Sequence, residues 1–371
     1  MSHFCLLSDP DNYVAIDWDL LADEQAREYW LSHFERHFVQ TLDHAKAQYG
    51  RSASDGVEAA GRELNEAIAR LRSDPASLPS GRLDIIELDR LRSEILARHG
   101  LHDPYAQIKA RENASAMELY LQLVHDLHVM GTEQKWLHLV ECVFAGNIFD
   151  LGAEPTMHLA DDPDDFIALA EKTKPRPWLV DDYDRLAAVL HPSPPTPWQK
   201  AIVFADNAGT DFVLGLMPLV RELALGGTQI VLAANERPAL NDMTVDETVE
   251  VVEDLATMDR DLAALIEGGM FEVVSTGNGI PLIDLSDVSD ELNETAADAD
   301  LVLIEGMGRA VESNFDTPFT VDSLRLAILK DEAVAARAGG ELFDCICKYA
   351  PVAVETPAEA EPPPEPEPPA E

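Results

Sequence analysis

Five short apolar runs between residues 199 and 350 limit the fold more than any other feature of the chain. They read A-I-V-F-A-D (201–206), T-Q-I-V-L-A-A-N (228–235), F-E-V-V-S-T (271–276), D-L-V-L-I-E-G (300–306) and F-D-C-I-C-K-Y (343–349). Most are continuous in Val, Ile, Leu and Ala rather than alternating, as in strands buried on both faces. Helical stretches separate most of them, for example 246–255 and 321–338. Buried strands alternating with helices predict an α/β fold, a mostly parallel sheet covered on both sides.

The first 150 residues read differently. Trp30, Phe34, Phe38 and Leu42 fall four apart and form one apolar stripe of a helix. A second helical run, L-D-I-I-E-L-D-R-L-R-S-E-I-L-A-R-H-G, stops at Gly100, a natural residue just past a helix end. Residues 113–129 continue in kind, giving a helical subdomain over 1–160. Residues 161–198 carry D-D-P-D-D, K-P-R-P-W and H-P-S-P-P-T-P-W, and are expected to form a proline-stiffened connection. The α/β part then spans 199–350. The last stretch, 351–371, is Pro/Glu low complexity, too poor in apolar residues to fold by itself.

Charge narrows the partners. Asp and Glu number 69 against 27 Lys and Arg, a formal net charge of −42, and the final segment contributes only six of those acids. So acidic a surface repels phosphate backbones and anionic lipid heads, which excludes nucleic acid and membrane partners and favours a cation as guest. No apolar run reaches the ~20 residues that span a bilayer, and the first residues lack a signal-peptide pattern. A cytoplasmic location is expected; the oligomeric state is not legible. Four cysteines make no disulfide framework, and Cys345 and Cys347, two apart on a strand, are expected to be core thiols facing one way.

The candidate chemistry sits where strands end. Asp206 and Asn207 follow the first apolar run and enter a Gly-containing turn; both offer hard oxygen atoms suited to a divalent cation. The plainer reading is turn chemistry with a helix cap. Asp242 follows the next run, in A-A-N-E-R-P-A-L-N-D-M-T. Adjacent parallel strands would set it beside Asp206, whereas Thr244 and Glu247 match a capping box. A third edge carries Glu305, Gly306, Gly308 and Arg309: the glycines permit close approach to a ligand, and the guanidinium suits phosphate. Lys330, read as the last residue of a helix, either adds positive charge to the site or meets the helix dipole. The pairs His33/His37 and His125/His128 lack a third ligand.

Together V-F-A-G-N-I-F-D (143–150), V-F-A-D-N-A-G-T-D (203–211), N-E-R-P-A-L-N-D-M-T (235–244) and I-E-G-M-G-R-A-V (304–311) resemble the damage-control phosphatases, long catalogued as domain of unknown function 89. The nearest branch includes plant stand-alone enzymes and the phosphatase domain fused to some eukaryotic pantothenate kinases. The similarity runs from about Asp17 to Tyr349. It implies a three-layer, Rossmann-like α/β/α fold with a helical N-terminal bundle. It further implies hydrolysis of small phosphate monoesters supported by Mn, Mg, Co or Ni. The metal ligands would be Asp206, Asn207 and Asp242, with E-G-M-G-R as the branch's active-site motif. Asn147 and Asp150 are implied in the pocket. Phosphopantetheine, its damaged forms or sugar phosphates are the expected substrates. On that view Arg309 and Lys330 would stabilise phosphoryl charge, and an Asp either attacks phosphorus or orients a water. Two rivals remain: an S-adenosylmethionine-dependent carboxyl methyltransferase, which would normally show a Gly-rich first loop where D-N-A-G stands, and a non-catalytic metal-holding interaction module.

Overall fold

In the computed structural model, residues 2–148, 174–191 and 197–352 are described. Five helices come first: α1 (Glu24–Tyr49), α2 (Ser54–Ser73), α3 (Ile85–Arg98), α4 (Ala106–Val129) and α5 (Thr132–Ile148). Local chemistry sets their ends. Asp23 accepts the Ala26 N–H at α1, Asp84 accepts that of Glu87 at α3, and Gly100 follows α3 at φ +73°. The stripe Trp30, Phe34, Phe38 and Leu42 is buried.

Seven strands follow: β1 (Val180–Asp181), β2 (Lys200–Phe204), β3 (Gln229–Ala234), β4 (Phe271–Ser275), β5 (Leu301–Glu305), β6 (Asp322–Ile328) and β7 (Cys345–Ala350). Helices α6 (Tyr183–Leu190), α7 (Met217–Leu225), α8 (Val245–Met258), α9 (Arg260–Glu267), α10 (Asp290–Ala296) and α11 (Glu332–Arg337) lie between them. The sheet order is β1-β7-β6-β5-β2-β3-β4. β2 to β6 are mutually parallel; β7 runs antiparallel to β6, and β1 lies parallel to β7 at the edge. The α/β class and the mostly parallel sheet are as the sequence predicts.

The five apolar runs became β2, β3, β4, β5 and β7. Their period-2 geometry sends alternate residues to two cores. Ala201 and Val203 join α4, α5 and α7 on one face; Ile202 and Phe204 join Phe4, Leu285 and Leu292 on the other. Cys345 and Cys347 do share one face, among the α5 side chains, and both are fully buried. A third cluster ties α1, α2 and α3 to Leu282, Met307 and Leu329, residues just beyond the strand ends. This attachment sets the helical layer over the carboxyl edge of the sheet.

Two segments depart from the expectation. Within the stretch 161–198, read as a connection, the described residues supply β1 and α6, while 161–173 and 192–196 lie outside the described residues. The stretch 321–338, read as a helix, is instead strand β6 followed by the short α11. Leu324, Leu326 and Ile328 alternate toward one core, and the intervening Arg325 made the run look amphipathic and helical. Its guanidinium is buried and satisfied by the Asn314 carbonyl at 2.8 Å, the Ser323 hydroxyl at 3.0 Å and the Thr317 carbonyl. Lys330 therefore stands past a strand's carboxyl end, not at a helix end.

No helix among the described residues is long and apolar enough to cross a membrane. Beyond β7 the last described tie is the Val352 N–H to Asp322 Oδ1 at 2.8 Å. Deleting 353–371 is expected to leave the melting temperature unchanged, because that segment is almost wholly Pro, Glu and Ala. A fall of many degrees in a thermal melt would refute this.

Candidate active site

The connection order of the sheet creates the site. From β2 the chain adds β3 and β4 on one side, then crosses back to place β5 on the other side of β2. At such a reversal the loops leaving β2 and β5 part in opposite directions and open a crevice at the carboxyl edge. Asp206 and Asn207 follow β2, Asp242 lies in the loop after β3, and Glu305 ends β5. The π-helical turns Asp211–Leu216 and Gly308–Glu312 supply Asp211 and Arg309. All six are buried.

Asp206 is gripped on both sides. Its Oδ1 accepts the Arg309 Nε at 2.9 Å; its Oδ2 accepts the amides of Asn207 at 2.8 Å and Asn147 at 3.3 Å. The other end of the Arg309 fork, Nη2, donates to Asp242 Oδ2, so one guanidinium spans both acids. Asn147 and Asn207 also donate to Asp211 Oδ2, at 2.7 and 2.9 Å. Both hydrogens of the Asn207 amide are thus spent on acids, and its oxygen is not. Gly306, at φ +95°, is obligatory, because a Cβ there would stand 2.0 Å from Asp206 Oδ2. Gly146 plays a similar part: a Cβ would lie 2.8 Å from the Thr210 carbonyl, and its absence lets the end of α5 bring Asn147 to the acids.

The electrostatics are unusual. Burial, reinforced by Asp242 and opposed by Arg309, holds Asp206 well above the usual carboxylate range. Burial likewise raises Asp211, with Lys330 opposing, and raises Glu305 well above its ordinary value, with Asp211 and Asp206 adding to it. Burial alone would lower Arg309; Asp242 and Asp206 more than offset it. Asn147 Oδ1 is a buried oxygen with no hydrogen-bond partner, and the buried Glu305 carboxyl and Asp211 Oδ1 find no donor beyond what the two acids offer each other. Asp206, Asp211 and Glu305 can bring ligand atoms within 4.8 Å of one another, and they are the one such acidic or His/Cys group among the described residues. Buried oxygens without donors, in a cluster with more carboxylates than cations, suit a hard divalent cation.

A cavity of about 330 Å³ opens above. Asp206, Asn207, Asp242, Gly308 and Lys330 line it from the sheet side; Tyr29, Trp30, His33, Phe34 and His37 of α1, and Ile85, Asp89 and Arg92 of α3, wall it from the helical side. Of the residues singled out in the sequence, Asn147, Glu305, Gly306 and Arg309 lie behind this lining as supports. Asp150 lies outside the described residues. His33 and His37 stack at 6.1 Å on the cavity wall. Asp211, which no sequence signal singles out from ordinary turn chemistry, stands in the same D-N-A-G-T-D turn, five residues after Asp206. The Asp89–Arg92 ion pair is marked in the sequence by nothing beyond its i, i+3 spacing on α3.

Burial pushes Asp89 up to about 7 against the pull of Arg92. A carboxyl raised in the folded state binds a proton there that the unfolded chain has lost, so its contribution to stability falls as pH rises from about 4 through 7. Asp89→Asn is therefore expected to gain melting temperature relative to the parent between pH 5 and pH 8. A difference that does not change with pH would count against the assignment.

The damage-control phosphatase ARMT1-like domain model matches residues 32–346. The chain belongs to that family. Three relatives frame it. A damage-control phosphatase of Arabidopsis thaliana is 40% identical over 76% of this chain and 76% of its own length. Pantothenate kinase 2 of the same plant is 35% identical over 94% of this chain but only 42% of its own. A 4'-phosphopantetheine phosphatase of Mus musculus is 33% identical over 93% of this chain and 48% of its own. The chain thus spans less than half the length of two of these relatives. In three dimensions it resembles a DUF89 family protein of Pyrococcus horikoshii. The TM-score is 0.58 at 18% identity, covering 85% of this chain and 96% of that one, a likeness of fold. The described parts of the four motifs meet around Asp206 and Asp242, through Asn147 from the end of α5 and Arg309 from beyond β5.

Proposed function

We propose that the protein is a metal-dependent phosphatase of small phosphorylated metabolites, acting in metabolite damage control in the cytoplasm. The observation that carries this is the convergence of Asp206, Asn207, Asp242 and Lys330 on the floor of one cavity. Damage-control and 4'-phosphopantetheine phosphatases among the relatives support it.

A divalent cation, Mn²⁺, Mg²⁺, Co²⁺ or Ni²⁺, would be held by Asp206, Asn207 and Asp242, with Asp211 and Glu305 as further oxygens behind Asp206. When bound it polarises the phosphoryl oxygens and offsets their charge. The Lys330 ammonium stabilises negative charge gathering on the same oxygens. Arg309 keeps Asp206 and Asp242 facing one another, and the Asn147 and Asn207 amides fix the rotation of the Asp206 carboxylate. The apolar and aromatic wall, Trp30, Phe34, Ile85 and Leu282, excludes water and packs the organic half of the ester. Phosphopantetheine, its damaged forms and sugar phosphates are the substrates we propose.

The test is a metal-by-substrate screen. Chelator-stripped protein is assayed on p-nitrophenyl phosphate, 4'-phosphopantetheine and sugar phosphates with each ion. Phosphate release restored by at least one ion is expected. Absence of release under every condition, or methyl transfer from S-adenosylmethionine, would overturn the reading.

A further inference from the structure

Helix α4 reaches both loops of the acid site from a single face. Lys109 and Asn113 stand four residues apart, hence on the same side of the helix. Lys109 is wholly buried, an unfavourable place for an ammonium unless it is fully paired. Its Nζ donates to the Asp242 carbonyl at 3.4 Å and meets Glu247 at 2.7 Å and Asp103 at 3.1 Å. Glu247 is the third helical residue of α8 and closes a capping box with Thr244, so the ammonium grips the loop at Asp242 and again at the helix that ends it. Asn113 holds the other loop. Its Oδ1 accepts the Gly209 N–H at 2.6 Å, and its amide lies 3.9 Å from the Met243 sulfur. Gly209, at φ +78°, is pressed so closely to α4 that a Cβ would come within 2.9 Å of Glu112 Cβ. Between these anchors the loops are bonded to each other, Met243 N–H to the Asp206 carbonyl and Ala208 N–H to that of Asn241, both at 2.9 Å.

We propose that Lys109 and Asn113 are positioning residues that set the separation of Asp206 from Asp242, and through it the affinity for the divalent cation. Neither side chain lines the cavity; both act through the backbone of the loops that carry the acids. A cation is sensitive to such support because its ligand distances are narrow, and the two carboxylates stand on separate loops whose spacing Arg309 and the cross-loop hydrogen bonds set from within and the α4 anchors set from behind. The proposal rests on the metal-site reading given above.

The experiment titrates the full chain with Mn²⁺ alone, following free Mn²⁺ by electron paramagnetic resonance, beside a thermal melt. Lys109→Met and Asn113→Leu are compared with Arg221→Met, a control that breaks the buried Arg221–Asp259 pair outside the cavity. The two α4 variants are expected to weaken Mn²⁺ binding about 10- to 100-fold, the usual cost of losing an outer support of a metal site. Arg221→Met is expected to melt lower yet keep the parental affinity, since distant sites act independently. Should Lys109→Met fail to fold, Glu247→Gln removes one anchor of the tether and is expected to weaken binding in the same direction. Parental affinity in the folded α4 variants and in Glu247→Gln, or an equal loss in Arg221→Met, would overturn the positioning role. A parent chain that binds no Mn²⁺ would instead refute the metal site itself, and the two failures are distinguishable.

Discussion

Asp206→Ala is expected to remove metal-supported phosphate release by about 10³-fold or more, at least the upper range for losing one transition-state donor. The carboxylate stands at the meeting point of every element of the site: Arg309 on one oxygen, two asparagine amides on the other, and Asp211 and Glu305 close behind. Asp242→Ala should behave similarly, because it is the acid at the far end of the same guanidinium. Neither change should unfold the chain. Asp206 is repelled by its acidic neighbours in the metal-free protein, so Asp206→Asn, which keeps the shape and drops the charge, is expected to melt no lower than the parent without metal while losing Mn²⁺ affinity. Kinetics at saturating Mn²⁺ beside a melt in chelator measure both. Parental turnover in either alanine variant would show that the site lies elsewhere.

Arg309→Lys is expected to fail as a replacement even though it conserves charge. The sequence suggests a forked contact with phosphate; in the folded chain the fork spans two carboxylates, with Nε on Asp206 and Nη2 on Asp242. An ammonium is a point charge on a flexible stem and cannot hold both acids in one plane. Arg309→Ala goes further and leaves two buried acids facing each other, a class of change that costs about 3–5 kcal/mol when one partner of a buried ion pair is removed. Turnover is expected to fall by about 10² in the lysine variant and more in the alanine variant, and the alanine variant should melt clearly lower. Calorimetric melts with steady-state kinetics decide it. Near-parental turnover in Arg309→Lys would mean that the bridge is dispensable.

How much of this was legible in the sequence depended on whether local chemistry or long-range packing fixed each part. Five of the seven strands announced themselves, most of them because burial on both faces demands continuous apolar residues, although β4 is a partly exposed edge strand. The sixth, β6, did not, because Arg325 interrupts the apolar pattern, and the carbonyls of Asn314 and Thr317 that satisfy it are brought to it only by the folding of the preceding loop. Asp206, Asn207 and Asp242 were legible as acids and an amide at strand ends. Which neighbours would hold them was not. Asn147 arrives from the end of α5 and Lys109 from α4, and such contacts are set by the packing of helices onto the sheet. Asp211 had a local signal, a second acid in the same turn, but turn chemistry accounted for it equally well.

The cavity is assembled from two packing units. Its floor, the acids and Lys330, belongs to the sheet edge and to turns so tightly fitted that Gly306 admits no side chain. Its opposite wall belongs to α1 and α3, which bury their apolar stripes in a separate cluster that meets the sheet mainly at residues past the strand ends and at Ile346 of β7. Substitutions at the faces of α1 and α3 toward the cavity can therefore accumulate while the spacing of the floor stays fixed. Divergence among descendants of such a chain is directed toward the molecule admitted, and away from the bond that is broken.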